Sequence, residues 1–513
     1  MVPASRQRRP ECLSADPVPG EQPRLLFQDA DLVAVDKPVG WLTHPDQATG
    51  RPDVFTFLGG GLGVHQRLDV DTSGVLVFSR SPVGARLLAS AFEGPGPGAE
   101  KQYLAVVDTP PPSRAGTLIG EVPAARGRAA ETRYRVLRET RAGGFLVEAV
   151  PVTGRTHQIR AHLAAAGCPV RGDQRYGDPL DVRAPRLLLH CARLGLPGGR
   201  RFEAPAPPWF AHALGDSSGL RAHLRQDADN TCYRELNGAG DACPGVYVDR
   251  YGAWLWVQHD ADAPEVPLPA ADGVYRIDAL PDRSRGGQPP PRLVSGVAAP
   301  EPLGVRENGI EYRVVLGRHL STGLFLDQRP QRAWVRRHVD GARVLNTFAH
   351  AGGFTVAAAV GGAARTVSID LDRAWLNRIG PQLEANGLPA DPARHDTIHG
   401  DVFDWVRRLA KRGETFDLVI LDPPSTSVGA RGRRWSAARD YTDLVRLVAP
   451  MVAPGGRLMT VTNHRGVSPA RFYDVVSAGL PPESVLERVG AMPIDFPGLG
   501  SAPTKSWIWR RGP

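Results

Sequence analysis

Lysine is nearly missing from this chain of 513 residues: among 62 basic residues only Lys37, Lys101, Lys411 and Lys505 are not arginine. A net charge of +8 therefore rests almost wholly on guanidinium groups, which match phosphate bidentately and release counterions when they neutralise a polyanion. A GC-rich coding bias would leave the same skew on any protein. Cysteine is scarce too, with five residues (Cys12, Cys168, Cys191, Cys232 and Cys243) in neither a CxxC pair nor a regular framework. That argues against a zinc knuckle and a disulfide scaffold and fits a reducing cytoplasm. No apolar run approaches the ~18 residues of a membrane span, so no membrane partner is expected. The opening MVPASRQRRPECLSADPVPGEQPR lacks the apolar centre of a signal peptide, and a disordered leader is expected over residues 1–23.

What is present suits a soluble globular protein, with 42% hydrophobic and 23% charged residues. The length exceeds one ordinary core, so at least two folded units are expected. From 25 to 45, LLFQDADLVAVDKPVGWLTHP alternates like strands around a turn at Lys37-Pro38 and Gly40, and GVLVFSR, QYLAVVD and FLVEAVP continue the β texture. This mostly-β block, residues 24–213, closes after FEAPAPPWF. A small β-rich middle region follows over 214–305, with a hairpin at GVYVDRYGAWLWVQ and a Pro- and Gly-rich stretch, PDRSRGGQPPPR. Over 306–513 the strands ARVLNTF, RTVSID, DTIHGD, FDLVILD and GRLMTVTN alternate with helical segments, which predicts a parallel, doubly wound α/β sheet.

Two clusters carry chemistry. In HQRLDVDTSG (65–74), Asp69 sits beside Arg67 ahead of hydroxyls that can cap a turn. TGRTHQIRAHLAAAG (153–167) places Arg155, His157, Arg160 and His162 within two to three helical turns, more polar cargo than a packing helix needs. His157 and His162 are five apart, a poor helical spacing for one metal, and no metal site is expected. GGGLG (59–63) lacks the Lys-Ser/Thr of a phosphate loop and reads as a flexible connection.

Together with VAVDKPVGWLTHP, EKQYLAVV, CPVRGDQRYG, RLLLHCARL and EAPAP in that order, these motifs resemble the RluA-type pseudouridine synthases over about residues 25–210. The resemblance implies an α+β synthase fold, RNA as substrate and no cofactor. It makes Asp69 the nucleophile, Tyr103 the ring stacked on uracil and Arg160 the cation that keeps Asp69 ionised. Arg67, Arg155 and His157 would face the RNA. The family's His before Arg-Leu-Asp is Gln66 here, with His65 one place earlier, and too few residues precede Leu25 for the family's optional S4 domain.

In the last block, VLNTFAHAGGFTVAAAV (344–360) is a strand, a glycine turn and a helix without GxGxxG, which weakens a dinucleotide-binding alternative. Asp370 and Asp401 end the next two strands, where a carboxylate can accept ribose hydroxyls or cap a helix, and DPPS (422–425) ends the fourth. With NTCYRELNGAGDACPGVYVDRYG and STGLFLDQRPQR, these segments resemble class I S-adenosylmethionine-dependent methyltransferases of the RlmI/RlmK group over about 226–513. That implies a Rossmann-like fold, S-adenosyl-L-methionine held by Phe348, His350, Gly352, Asp370, Asp401 and Asp422, and large-subunit rRNA as substrate. His350 stands where relatives carry an aromatic residue.

C5 methylation of cytosine needs a thiolate to add at C6, and relatives that perform it carry Cys on the fifth-strand loop. Here that loop is VTNHRG (461–466), and no cysteine follows Cys243. Guanine N7 already has an exposed lone pair and needs only positioning. Asp422 and Asn463 would be the catalytic groups, with Pro423, Pro424 and His464 on the RNA. The expectation is thus a bifunctional RNA-modifying enzyme. The alternative is a methyltransferase, acting on cytosine C5 or an exocyclic amine, whose synthase-like domain only binds RNA.

Overall fold

The computed structural model describes residues 21–513 except 47–48, 94–97, 124–127, 141–142, 182–185, 214–218, 280–289, 429–433, 491, 499–503 and 513. Most of the expected leader, and much of PDRSRGGQPPPR, lie outside the described residues. The described chain forms two compact units that divide between His223 and Leu224.

The first unit is built on a ten-stranded sheet whose main path runs Arg24–Gln28, Leu32–Lys37, Ser73–Ser79, Leu189–Gly195, Glu100–Val107, Phe145–Pro151, Arg128–Glu139, Ala115–Val122, with Gly63–Val64 paired to Ser73–Ser79 and Arg201–Glu203 to Leu189–Gly195. Ser73–Ser79 is buried at every position, which is why its apolar run reads as a strand from sequence. Its pairing with Leu189–Gly195 is the sheet's parallel junction, Ser73 opposite His190 and Gly74 opposite Cys191. Gly74 has φ +115°, and any Cβ there would collide with the Cys191 carbonyl. Helix Gln158–Ala165 packs on the strands from 115 to 151.

In the second unit a seven-stranded sheet runs His395–His399, Arg365–Asp370, Arg343–Thr347, Phe416–Leu421, Val452–Thr462, Lys505–Arg510, Val485–Val489. The first five strands are parallel, as the βαβ pattern predicts, and Lys505–Arg510 adds antiparallel to both neighbours. Ligands bind in such sheets outside the carboxyl ends of the strands, where the order reverses.

The middle region contributes a five-stranded sheet, Cys232–Asn237, Val246–Tyr251, Trp254–Asp260, Gly273–Ala279 and Arg292–Gly296. The expected hairpin is its Val246–Tyr251/Trp254–Asp260 pair. This sheet shares a core with the elements around the seven-stranded sheet: Cys232, Tyr251 and Tyr275 pack in one cluster with Leu303, Tyr312, Val356 and Leu376. Asp495, fully buried, binds Arg329 through both oxygens at 2.9 and 3.0 Å and accepts the Arg234 N–H at 2.7 Å, tying that sheet to helix Arg329–His338.

Candidate functional site

In the first unit, the loop bearing Asp69 is clamped by the segment from Lys37 to Thr43. Lys37, fully buried, donates to the carbonyls of Pro38 (3.0 Å), Trp41 (2.9 Å) and Val70 (3.3 Å). Thr43 Oγ1 accepts the Leu68 N–H at 3.2 Å, and the Thr72 N–H closes a turn onto the Asp69 carbonyl at 3.0 Å. Burial lowers the Lys37 pKa to about 7, against the pull of Asp71 and Asp69. Gln66 is buried, with its Nε2 donating to the Val75 carbonyl, and His65 pairs with Ser79 Oγ at 3.1 Å.

Asp69 Oδ2 accepts from Arg160 Nη1 at 3.2 Å. Arg160 is itself gripped by Asp173, Nε to Oδ2 at 2.7 Å and Nη2 to Oδ1 at 2.9 Å. Burial works against the Arg160 charge, and Asp173, then Asp69, more than offset it, so its pKa lies above the ordinary value. One cation thus serves two carboxylates, and the one facing the cleft stays reachable, its side chain 22% exposed. Asp173 lies in the quoted RGDQRYG, yet neither spacing nor type marks it as the second partner.

The expected helix over Arg155–His162 begins only at Gln158. His157 is left-handed at φ 57° and serves as its cap, and Gln158 Oε1 accepts the Arg155 N–H at 3.0 Å, so Arg155 and His157 sit on the approach loop rather than a helix face. The turn brings His157 Nε2 to 3.7 Å from Asp69 Oδ1 and Nδ1 to 3.1 Å from Tyr176 Oη. Burial, only partly opposed by Asp69, lowers the His157 pKa and favours the neutral ring. Tyr103 is 9% exposed, and burial beside Cys191 pushes its hydroxyl well above the usual range, so it is a neutral ring and not a base. Arg67, Asp69, Tyr103, Arg155, His157 and Arg160 all line one cleft of about 890 Å³. Lys101, on the same wall, went unread in the sequence.

In the second unit, strand Arg343–Thr347 turns into helix Gly353–Val360 through three left-handed residues, Phe348 (φ 57°), His350 (φ 50°) and Gly352 (φ 79°). Two of these are not glycine, a conformation that persists only where surroundings enforce it. Asp370 does so, its Oδ2 accepting the His350 N–H at 2.8 Å. A Cβ on Gly352 would come within 2.5 Å of Ile379 Cγ1, so this glycine is demanded by packing as well as by φ.

The turn opens on a cavity of about 490 Å³ whose wall includes Phe348, His350, Gly353, Asp370, Asp401, Asp422, Pro423, Pro424 and Asn463. That volume lies within the ~300–1,000 Å³ usual for small-ligand sites. Gly352 and His464, both expected at the site, are not on this wall. Gly352 points into the fold, and Gly353 takes its place. His464 is turned back, its Nδ1 accepting the Gly466 N–H at 3.1 Å and its carbonyl accepting from Lys505 at 3.1 Å.

Asp401 caps helix Val402–Lys411 through the Phe403 N–H at 2.9 Å, and Val402 and Phe403 give the cavity an apolar flank. Burial, reinforced by Asp327 and opposed by Arg332, raises Asp422 to a pKa of about 7. The loop after it is locked on both sides: Trp435 Nε1 donates to the Pro424 carbonyl at 2.9 Å, and Ser425 Oγ donates to Asn463 Oδ1 at 2.5 Å. The His350 ring lies tilted 3.9 Å from Trp375 and 5.3 Å from Phe325, and burial lowers its pKa to about 4. Carboxylates on two strand ends, an apolar flank between them and a backbone turn opposite form a set that fits a nucleoside bearing an amino-acid tail. Among the described residues no cluster of three or more His, Cys, Asp or Glu could hold a metal, and no helix is long and apolar enough to cross a membrane.

Family comparisons agree with this division. An RNA pseudouridylate synthase family model matches residues 31–165, and an S-adenosylmethionine-dependent methyltransferase model matches 291–510. "Putative ribosomal RNA large subunit methyltransferase YwbD" of Bacillus subtilis is 32% identical over 315 residues, 58% of this chain and 78% of that protein. "Ribosomal RNA large subunit methyltransferase I" of Photobacterium profundum is 33% identical over 264 residues, 49% of this chain and 66% of that one. A crystal structure, "SMU.776, a putative methyltransferase complexed with SAH", superposes with a TM-score of 0.51 at 28% identity, covering 56% of this chain and 78% of its own. The chain belongs to the S-adenosylmethionine-dependent methyltransferases and carries an RNA pseudouridylate synthase domain in the same polypeptide.

Proposed function

We propose that the protein is a bifunctional enzyme of the cytoplasm that isomerises a uridine to pseudouridine at Asp69 and methylates guanine N7 in large-subunit ribosomal RNA. Asp69, held by Arg160 in a cleft with Tyr103, is the observation that carries the first activity. Its ionised oxygen attacks the ribose or the uracil, the base detaches and turns, and it rejoins the sugar through carbon. Arg160, anchored on Asp173, keeps Asp69 charged, and Tyr103 offers a neutral face to the uracil. Arg67 and Arg155, both exposed on the cleft, meet phosphates.

For methyl transfer, bound S-adenosylmethionine supplies an electrophilic methyl group. Asp370 would accept the ribose hydroxyls, Asp401 with Phe403 would hold the adenine, the turn from Phe348 to Gly353 would take the amino-acid tail, and the Asp422 carboxylate would favour the cationic sulfonium. Guanine is the base that Asn463 would suit. Ser425 donates to its Oδ1, which would leave the amide NH₂ for an acceptor on the substrate, and guanine offers an acceptor, O6, beside N7, whereas adenine and cytosine offer amino groups at the corresponding edge. The large-subunit assignment rests on the names of the relatives.

The test is nucleoside mass spectrometry with carbodiimide mapping on large-subunit rRNA from a strain lacking the gene, incubated with purified protein and labelled S-adenosylmethionine. Label in 7-methylguanosine, and a new pseudouridine that disappears with Asp69→Asn, are expected. Label in 5-methylcytidine or in an exocyclic amine would sink the guanine assignment, and methylation without any pseudouridine would leave the first unit an RNA-docking domain.

A further inference from the structure

The second unit presents one aromatic ring to solvent at the mouth of its own cavity. Of the aromatic residues lining that cavity, Phe354, Phe403 and Trp435 are buried and Phe348 is half-buried, while Phe325 keeps 49% of its surface exposed. A solitary exposed apolar residue is ordinary on a protein surface, but this one is held in place. Its carbonyl accepts from Arg332 Nη2 at 2.8 Å, and Arg332 is locked to Glu307 at 2.7 and 2.6 Å. Both partners of that pair are at most 3% exposed, and the flanking Leu324 and Leu326 are core residues. The backbone around Phe325 is therefore rigid, and its ring is the outer end of a row continuing through His350 to Trp375.

Pro424, Ser425 and Asn463 line the same cavity. The segment Asp422–Ser425 supplies prolines and a hydroxyl but no aromatic ring, and the neighbouring Trp435 is buried with its N–H committed to Pro424. A base drawn out of an RNA stack must recover π-contact somewhere. We infer that Phe325 is the residue on which the target purine stacks, a specificity-determining contact that deepens, and rests on, the guanine assignment above.

The chemistry makes this ring more than a platform. As the N7 lone pair forms its bond to the methyl carbon, the S–CH₃ bond breaks and its electron pair stays on sulfur. The positive charge thus moves from sulfonium to purine, and no proton need leave. A phenyl face beside the purine attracts that developing cation more than it attracts the neutral base, so part of its effect belongs to the transition state.

Steady-state methylation of rRNA by Phe325→Leu and Phe325→Tyr tests the inference, with calorimetry of S-adenosylhomocysteine binding and pseudouridine formation on the same RNA as parallel readouts. Stacking worth about 1–3 kcal/mol per base corresponds to a loss of about 5- to 150-fold in kcat/KM for Phe325→Leu, part of it in kcat. Phe325→Tyr should restore most of the loss, while cofactor affinity and pseudouridine yield stay at the wild-type level. A matching fall in S-adenosylhomocysteine affinity would make the ring a cofactor wall, and no loss, or a loss that tyrosine does not rescue, would overturn the inference. If the wild type labels another base, the guanine assignment falls, but the Phe325 comparison still decides whether the ring stacks it. Ultraviolet crosslinking of rRNA to the peptide carrying Phe325 gives a readout without turnover, and its absence in the wild type would count against stacking.

Discussion

Asp173 shows how the proposed nucleophile can be governed by a residue buried behind its partner. It accepts from Nε and Nη2 of Arg160, while Asp69 accepts from Nη1. Asp173→Asn keeps the shape and removes the charge. Losing charged hydrogen bonds worth about 1.5–3 kcal/mol predicts a fall in pseudouridine kcat of about 10- to 100-fold, with methylation unaffected. Single-turnover kinetics on the same rRNA would show it. Asp422 gives a prediction of opposite sign to the usual carboxylate. Burial lifts its pKa from 3.8 to about 7, so the folded chain binds this proton more tightly than the unfolded one. The associated stability is fully present below about 4 and is lost as the pH rises through about 7. A cationic cofactor favours the ionised form, so binding should release a proton about one unit below that midpoint and none about one unit above it. Calorimetry in buffers of different ionisation enthalpy measures this, and Asp422→Asn should abolish the release.

At the scale of elements, legibility followed burial. Ser73–Ser79 and Phe416–Leu421 are buried at every position but Asp417 and read directly as strands. Arg128–Glu139 was not legible, because RAAETRYRVLRE spreads charge along a twelve-residue strand whose described side chains reach solvent on one face. Lys505–Arg510 was hidden for the reverse reason: its Lys505 and Ser506 are polar yet buried. The candidate groups gathered around Asp69 were legible through motif order. The arrival of His157 by a left-handed cap was not, since nothing in the residue type announces that φ. The pairing of Arg329 with Asp495 was equally invisible, lying 166 residues apart. That pair joins the middle sheet to helix Arg329–His338, and its members are 8% and 0% exposed. Asp495→Ala leaves a buried guanidinium without its partner, and a loss of about 3–5 kcal/mol in the second unit is expected from urea unfolding.

For the molecule as a whole, each unit has its own core and its own site, so a ligand of one need not stabilise the other. S-adenosylhomocysteine at about a hundredfold excess over its Kd should stabilise the second unit by about 2.7 kcal/mol. Scanning calorimetry should then show one transition moving while that of the first unit stays in place. Both moving together would mean that the units unfold as one. The scarcity of thiols reaches further than the choice of methylated atom. Cys168, Cys191 and Cys232 are buried, with burial pushing the first two thiols up to about 11 and 12 and the third higher still. Neither proposed reaction uses sulfur from the protein, and these three thiols, held in their protonated form, are slow to meet peroxide or alkylating agents. Both modifications should therefore continue under oxidant levels that silence thiolate-dependent RNA methyltransferases, leaving marks on ribosomes assembled during stress.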